Sequence, residues 1–138
     1  MRDAEAFFDT SVVLYLLSDN ADKANRLEEL LERKGAISVQ VLNEFATVAK
    51  RKRALSFAEI RDVLGTVRTV CVTHPVTIES HDRGLDIAER YGFSLYDSMI
   101  VASALLAGCK TLYSEDLQHR QIIDKTLTIL NPFAQASE

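Results

Sequence analysis

Apolar positions along the chain fall into two kinds of segment: short continuous runs, and longer stretches spaced three and four apart. The first kind predicts buried strands and the second amphipathic helices. "AFF" reads as a short strand before Asp9, and "SVVLYLLS" after it as a helix. "NADKANRLEELLERKG" predicts a helix with Asn20 as N-cap, Ala24, Leu27 and Leu31 on its apolar face, and Gly35 as terminator. "AISV" is a second strand, followed by "QVLNEFATVAKRKR" as a helix. Ser56 and Glu59 in "SFAE" form a capping box that opens a helix through about Val67. A further helix is expected from about Thr77 to Tyr91, ending at Gly92. From Met99 to Cys109 every residue but Ser103 is apolar or Gly, which predicts a deeply buried helix closed by Gly108. "KTLYS" and "LTILNPF" complete the pattern as two short strands.

Strands alternating with helices indicate an α/β fold with a parallel sheet covered on both faces. In such folds functional groups gather beyond the carboxyl ends of the strands. No repeat, low-complexity tract or linker divides the chain, so residues 1–138 are expected to form one domain.

Composition narrows the class. The 138 residues are 47% hydrophobic and 26% charged, the balance of a soluble globular protein. No apolar run approaches the ~20 residues that cross a bilayer. "MRDAEAFFDT" carries acids where a signal peptide has a basic region, so a cytoplasmic location is expected. Cys71 and Cys109 are too few for a disulfide framework and read as buried, reduced thiols. The net charge of −4 argues against a general nucleic-acid binder, unless a local basic run or a bound cation changes the balance.

Four acids sit in awkward places. Asp9 follows the first strand and could be an N-cap. Glu44 shares one helix face with Val41, Phe45 and Val48 and has no Lys or Arg one turn away. A carboxylate there must lie at the stripe's edge or have a partner, since burying it alone is costly. Asp97 stands in front of the most apolar helix, where capping is again the plain alternative. Asp116 lies just past "KTLY" in a loop where an acid could simply face water. A parallel sheet would bring all four to one edge. Two carboxylates about 5 Å apart repel by roughly 3 kcal/mol at an effective dielectric near 20, so four of them call for protons or a hard cation. Mg²⁺ or Mn²⁺ suits such oxygen ligands.

"FFDTSVVLYLL", "ISVQVLNEF", "LYDSMIVASALLAGCKTLYSEDLQH" and "ILNPF" resemble PIN-domain ribonucleases, specifically VapC-type toxins of toxin–antitoxin systems. The resemblance covers almost the whole chain. It implies a three-layer α/β/α domain with a short parallel sheet flanked by helices, and a metal-dependent endoribonuclease. Its acidic quartet falls on Asp9, Glu44, Asp97 and Asp116, as catalytic groups and as ligands of Mg²⁺ or Mn²⁺, with Ser114 supporting the last acid. "LQHR" follows Asp116 where some relatives carry a further acid or Asn, which leaves Glu115 and His119 as open candidates. The resemblance also implies homodimers and inhibition by a cognate antitoxin.

Carboxylate-held ions can activate water, neutralise phosphate charge and stabilise the leaving oxygen, and no Ser–His–Asp or Cys–His set is legible instead. An acidic protein must still approach RNA. Lys50, Arg51, Lys52 and Arg53 form the one dense basic run, and Arg51 would share the side of Glu44. They could reach phosphates or simply be a solvated helix end. His74 is expected in a loop, His81 on a polar helix stretch and His119 at the surface, while Tyr96 could line a cleft or pack. A haloacid-dehalogenase-type phosphatase would need an acid where Ser11 stands. The remaining alternatives are a PIN-like module that binds RNA without cutting it and a phospho-accepting receiver-like domain; the latter would need paired early acids and a Lys after a late strand.

Overall fold

Phe7 and Phe8 are neighbours on one strand, hence on opposite faces, and both are fully buried. That requires helical cover on both sides of a sheet. A computed structural model describes residues 5–134; residues 1–4, part of the segment read above for a leader, and 135–138 lie outside the described residues. The elements in order are β1 (Ala6–Phe8), α1 (Thr10–Val13) continued by a 3₁₀ turn (Leu14–Leu17), α2 (Ala21–Leu31), β2 (Gly35–Ser38) and α3 (Val39–Arg53). Then come α4 (Phe57–Val70), β3 (Cys71–His74), α5 (Ile78–Tyr91), α6 (Leu95–Leu106), β4 (Thr111–Tyr113), β5 (Ile122–Ile123) and β6 (Leu127–Leu130).

The sheet order is β3-β2-β1-β4-β6-β5, parallel throughout except for β5. Phe7 pairs with Ala36 on one side and Leu112 on the other. The strand order therefore reverses between β1 and β4, and a crevice is expected beyond their carboxyl ends. Asp9 and Ser114 stand at those two ends. The α5–α6 pair packs through α6 on β2 and β4, while α3 packs on β2, α4 and α1. The α6 helix is buried from Ser98 through Ala104, as its apolar run requires.

Several expected details are corrected. The helix after Asp9 lasts only four residues before tightening into the 3₁₀ turn, a common way for a short helix to end. Gly35 does not terminate α2. Lys34 takes the left-handed conformation (φ 59°) and Gly35 begins β2. A Cβ on Gly35 would lie 2.1 Å from Cε2 of Phe8, so this glycine makes room for a core ring. The α4 helix runs three residues beyond Val67 to Val70. "CVTH" is the edge strand β3 rather than a loop, with His74 at its end. Polar Thr73 and His74 cut short the apolar run that would have revealed it. β5 has only two residues, too few to show a pattern. Asp124 and Lys125 both have positive φ (49° and 64°) and form the tight turn of the β5–β6 hairpin.

The expected caps at Asn20 and Ser56 are present, the latter as a reciprocal capping box with Glu59. Gly92 and Gly108 are left-handed at the ends of α5 and α6. Cys71 and Cys109 are buried thiols, and burial pushes the Cys71 thiol up to about 11, so it stays protonated and unreactive. Among the described residues no helix is long and apolar enough to cross a membrane.

Candidate functional site

The crevice at the strand-order reversal is an open groove of about 1150 Å³ whose lining includes Asp9, Glu44, Asp97 and Asp116. Four segments far apart in sequence contribute them: the end of β1, the second turn of α3, the first turn of α6 and the loop after β4.

Asp9 occupies the N-cap position of α1, yet its side chain makes no cap bond. It is 3% exposed. Its Oδ2 accepts both the Ser114 hydroxyl (2.7 Å) and the Ser11 hydroxyl (3.0 Å). No donor among the described residues reaches Oδ1. Burial pushes the Asp9 carboxyl up from 3.8 to about 6, against the two hydroxyls and with added push from Asp116 and Asp97. Asp97 likewise escapes the capping role. Ser94 is the N-cap of α6, so the helix opens two residues before Asp97, and Asp97 offers only its backbone N–H to Ser94 Oγ (3.2 Å). Its carboxylate receives no donor among the described residues.

Glu44 lies at the edge of the α3 stripe, half-buried beside fully buried Val41 and Phe45. Its partners are neutral: Thr10 donates to Oε1 (2.6 Å) and the Gln40 amide to Oε2 (3.3 Å). Asp116 sits at the exposed rim of the groove. Its pKa is raised by partial desolvation, then by the charges of Asp97, Glu115 and Glu44. Ser114 Oγ accepts the N–H groups of Asp116 (3.1 Å) and Leu117 (3.3 Å) while donating to Asp9. One buried hydroxyl thus ties the end of β1 to the Asp116 loop. Among the described residues, no Lys or Arg forms an ion pair with any of the four acids.

The acids do not close into a ready-made cage: among the described residues, no group of three or more His, Cys, Asp or Glu is gathered tightly enough to hold an ion as it stands. Mutual repulsion of unneutralised carboxylates favours such spreading. The donor set still fits a hard cation. Mg²⁺ is held by one or two carboxylates plus water and phosphate oxygens rather than by an all-protein cage, and Asp9 Oδ1, Asp97 and Asp116 offer carboxylate oxygens without a donor among the described residues.

The basic run divides. Arg51 borders the main groove. Lys52 and Arg53 border an adjoining cavity of about 400 Å³, which shares Ser11, Leu14, Val48 and Asp116 with the groove. Lys50 lies instead over the Phe57 ring, 4.4 Å from its centroid. Tyr96 lines the groove and is 70% exposed, and His81 lines it too. His119 is turned to a structural task, its Nδ1 accepting the Asn131 N–H (2.9 Å). The Glu115 carboxylate is held by Tyr15 (2.6 Å) and Lys23 (2.9 Å), close enough for its charge to act on Asp116. Thr10, Ser11 and Gln40 hold the acids and escaped sequence reasoning. The two hydroxyls directly after Asp9 in "DTS" were the signal that could have found Thr10 and Ser11.

The model of the PIN domain matches residues 6–125. The chain belongs to the PIN-domain family. Its fold is also that of solved toxin–antitoxin proteins. A chain of a toxin–antitoxin complex from Klebsiella pneumoniae aligns at TM-score 0.69 and 19% identity, covering 93% of this PIN domain's chain and 98% of the other. VapC20 of Mycobacterium tuberculosis, described as a sarcin–ricin loop cleaving toxin, aligns at 0.64 and 19%, covering 79% and 88%. A chain of VapBC2 from Rickettsia felis, solved bound to a DNA fragment from its promoter, aligns at 0.65 and 19%, covering 90% and 96%. A search of curated proteins by sequence finds no match. At these identities the likeness is one of fold.

Proposed function

We propose that this chain, as one domain, is a divalent-metal-dependent endoribonuclease and the VapC-type toxin of a toxin–antitoxin pair. One observation carries the proposal: Asp9, Asp97 and Asp116 line a single groove with carboxylate oxygens that have neither a hydrogen-bond donor nor a cation partner among the described residues. Asp9, Asp97 and Asp116 would hold Mg²⁺ or Mn²⁺, with Glu44 beside them. When bound, the ion supplies charge neutralisation at the phosphate and acidifies water.

The chain's own residues divide the remaining work. Ser114 and Ser11 fix one oxygen of Asp9 and leave the other for the ion. Thr10 orients Glu44, whose Oε2 has only the long contact to Gln40 and is the oxygen able to accept a proton from an attacking water. The groove and its side cavity meet at Asp116, with Arg51 on one side and Lys52 and Arg53 on the other. A strand continuing in both directions from the scissile phosphate would find a cation on each side, which suits cleavage within a chain. The fold neighbours described as toxin–antitoxin complexes support an antitoxin as partner, and we assign a homodimer working on RNA in the cytoplasm.

The test is cleavage of a structured RNA by purified protein with Mg²⁺, with EDTA, and with Asp9→Asn. Cleavage that needs the divalent ion and vanishes in the variant is expected. RNA binding without divalent-dependent cleavage would defeat the assignment in favour of the non-catalytic module.

A further inference from the structure

Glu115 follows Ser114 and precedes Asp116, yet its carboxylate is engaged by a cluster of its own, Tyr15 and Lys23. Tyr15 donates to Oε1 (2.6 Å), and Lys23 donates to Oε2 (2.9 Å) and to the Tyr15 hydroxyl (3.1 Å). The cluster is braced by apolar contact. The Lys23 ammonium sits 4.8 Å from the Tyr15 ring centroid and 5.1 Å from that of Phe133, and the two rings meet edge to face at 4.7 Å. The backbone of Glu115 leads back to the groove: its N–H donates to Ser11 Oγ (3.1 Å), which donates to Asp9 Oδ2 (3.0 Å).

We propose that Lys23 and Tyr15 form a clamp on Glu115 that positions the Asp116 loop for metal binding, so that Glu115 is a strut and not a ligand. The inference rests on the metal-site reading given above. The geometry is that of an outer-shell support. Three side chains from the 3₁₀ turn, α2 and the loop after β4 form a closed triangle of hydrogen bonds, and both neighbours of Glu115 carry groups of the site. Released from the clamp, the short segment 114–117 would be anchored by Ser114, Ser11 and the packing of Leu117 on the core, with no side-chain bond at Glu115. Asp116, at the exposed rim, would then be ordered at the moment of binding rather than beforehand.

The sign of one substitution separates strut from ligand. Lys23→Met keeps an apolar stem against Tyr15 and Phe133 but removes a positive charge near an anionic site. By Coulomb attraction alone, or if Glu115 is freed to coordinate, Mn²⁺ should bind as tightly or more tightly. The clamp requires the opposite: about tenfold weaker Mn²⁺ binding, in the range typical of outer-shell changes. Titration of Mn²⁺ by calorimetry on the full chain reads this directly. Tyr15→Phe should weaken binding in the same direction, and Lys23→Arg, which keeps a cation over both rings, should restore it. In a Glu115→Ala background neither Lys23→Met nor Tyr15→Phe should weaken binding further, because the strut is already gone. Hydrogen exchange at the Glu115 and Asp116 amides should quicken in Lys23→Met, a readout independent of any metal. Unchanged or tighter Mn²⁺ binding by Lys23→Met, with wild-type uptake normal, overturns the clamp alone. A wild-type chain that takes up no Mn²⁺ overturns the metal site and the clamp with it.

Discussion

Two carboxylates with opposite fates show how this fold separates function from stability. Asp124, in the β5–β6 turn, is surrounded by donors: Arg90 (2.7 Å), Arg83 (3.3 Å) and the Tyr91 hydroxyl (3.1 Å). Those partners, the Arg90 hydrogen bond foremost, hold its carboxyl below the usual range. Asp9, under the groove, has two neutral hydroxyls and three acidic neighbours lining the same groove, and burial lifts it to about 6. The first carboxylate is satisfied by the protein and fastens a hairpin to α5. The second is left incompletely neutralised at the strand-order reversal. A group that costs the fold free energy while an equivalent group elsewhere is fully paired marks a place where something else must supply the charge.

The sharpest way to break the contrast is to make Asp9 neutral. Asp9→Asn should remove cleavage by more than the roughly 100-fold that outer-shell changes reach, with the fold kept, as circular dichroism would check. The same substitution at Asp124 should leave the cleavage rate unchanged. Equal loss from both would mean that the groove holds no special carboxylate.

The pH dependence of stability sharpens the contrast further. Asp9 has a folded pKa raised from 3.8 to about 6, so the folded state binds more protons between those values. The stabilisation is full below about pH 4 and is lost as pH rises through 6, a fall of about 3 kcal/mol for the metal-free protein. Asp124 runs the other way. Its lowered pKa gives stability that is present above about pH 4 and is lost as pH falls through the folded value. Thermal melts in EDTA from pH 4 to 8 should show the decline, and Asp9→Asn should flatten it. Added Mg²⁺ should raise the melting temperature more at pH 8 than at pH 5, because the ion binds the ionised form. A melt independent of pH across this window would leave Asp9 without its assigned cost.

A smaller effect concerns the cations beside the groove. Replacing Arg51, Lys52 and Arg53 with Ala should lower the slope of log affinity against log salt for single-stranded RNA by about 2, at ~0.7 per phosphate contact. Lys50→Ala, which removes the cation over Phe57, should change the slope little. Equal changes for Lys50 and Arg51 would make the run a general positive surface rather than two banks of one groove.

Much of this organisation is legible in the sequence, for a physical reason. Strands β1 and β2 are buried on both faces, β4 and β6 bury one face fully and the other in part, so all four carry short apolar stretches, and α6 is enclosed along most of its length and reads as apolar nearly all round. Each acid of the quartet breaks or abuts such a run, which is why it stands out. β3 is not legible because an edge strand needs little burial and tolerates the polar Thr73 and His74 that cut its apolar run to Val70–Val72. Gly35 was misread because a glycine after a helix usually ends it, whereas this one accommodates the Phe8 ring, a contact between strands distant in sequence. Whether Asp9 and Asp97 were caps or ligands could not be decided from spacing. Asp9 does stand at the N-cap position, and only the destination of its side-chain oxygens sets it apart, whereas Asp97 lies inside a helix whose start at Ser94 the apolar run does not mark.

The smallest effect belongs to Asp124 itself, and its size tests whether the paired carboxylate is purely structural. Asp124→Asn keeps the shape and one acceptor but removes the charge that Arg83, Arg90 and Tyr91 share. The two guanidiniums are 37% and 50% exposed, so water recovers most of their hydration, and the loss should be about 1 kcal/mol. The turn needs positive φ at this position (49°), a conformation Asn tolerates as well as Asp, so no backbone strain adds to the figure. Chemical denaturation at pH 7 should therefore show a small fall in midpoint with an unchanged slope, while Mn²⁺ affinity stays at the wild-type value. A loss of metal affinity would mean that the hairpin reaches the groove through β6 and β4, and that the two carboxylates are not separate after all.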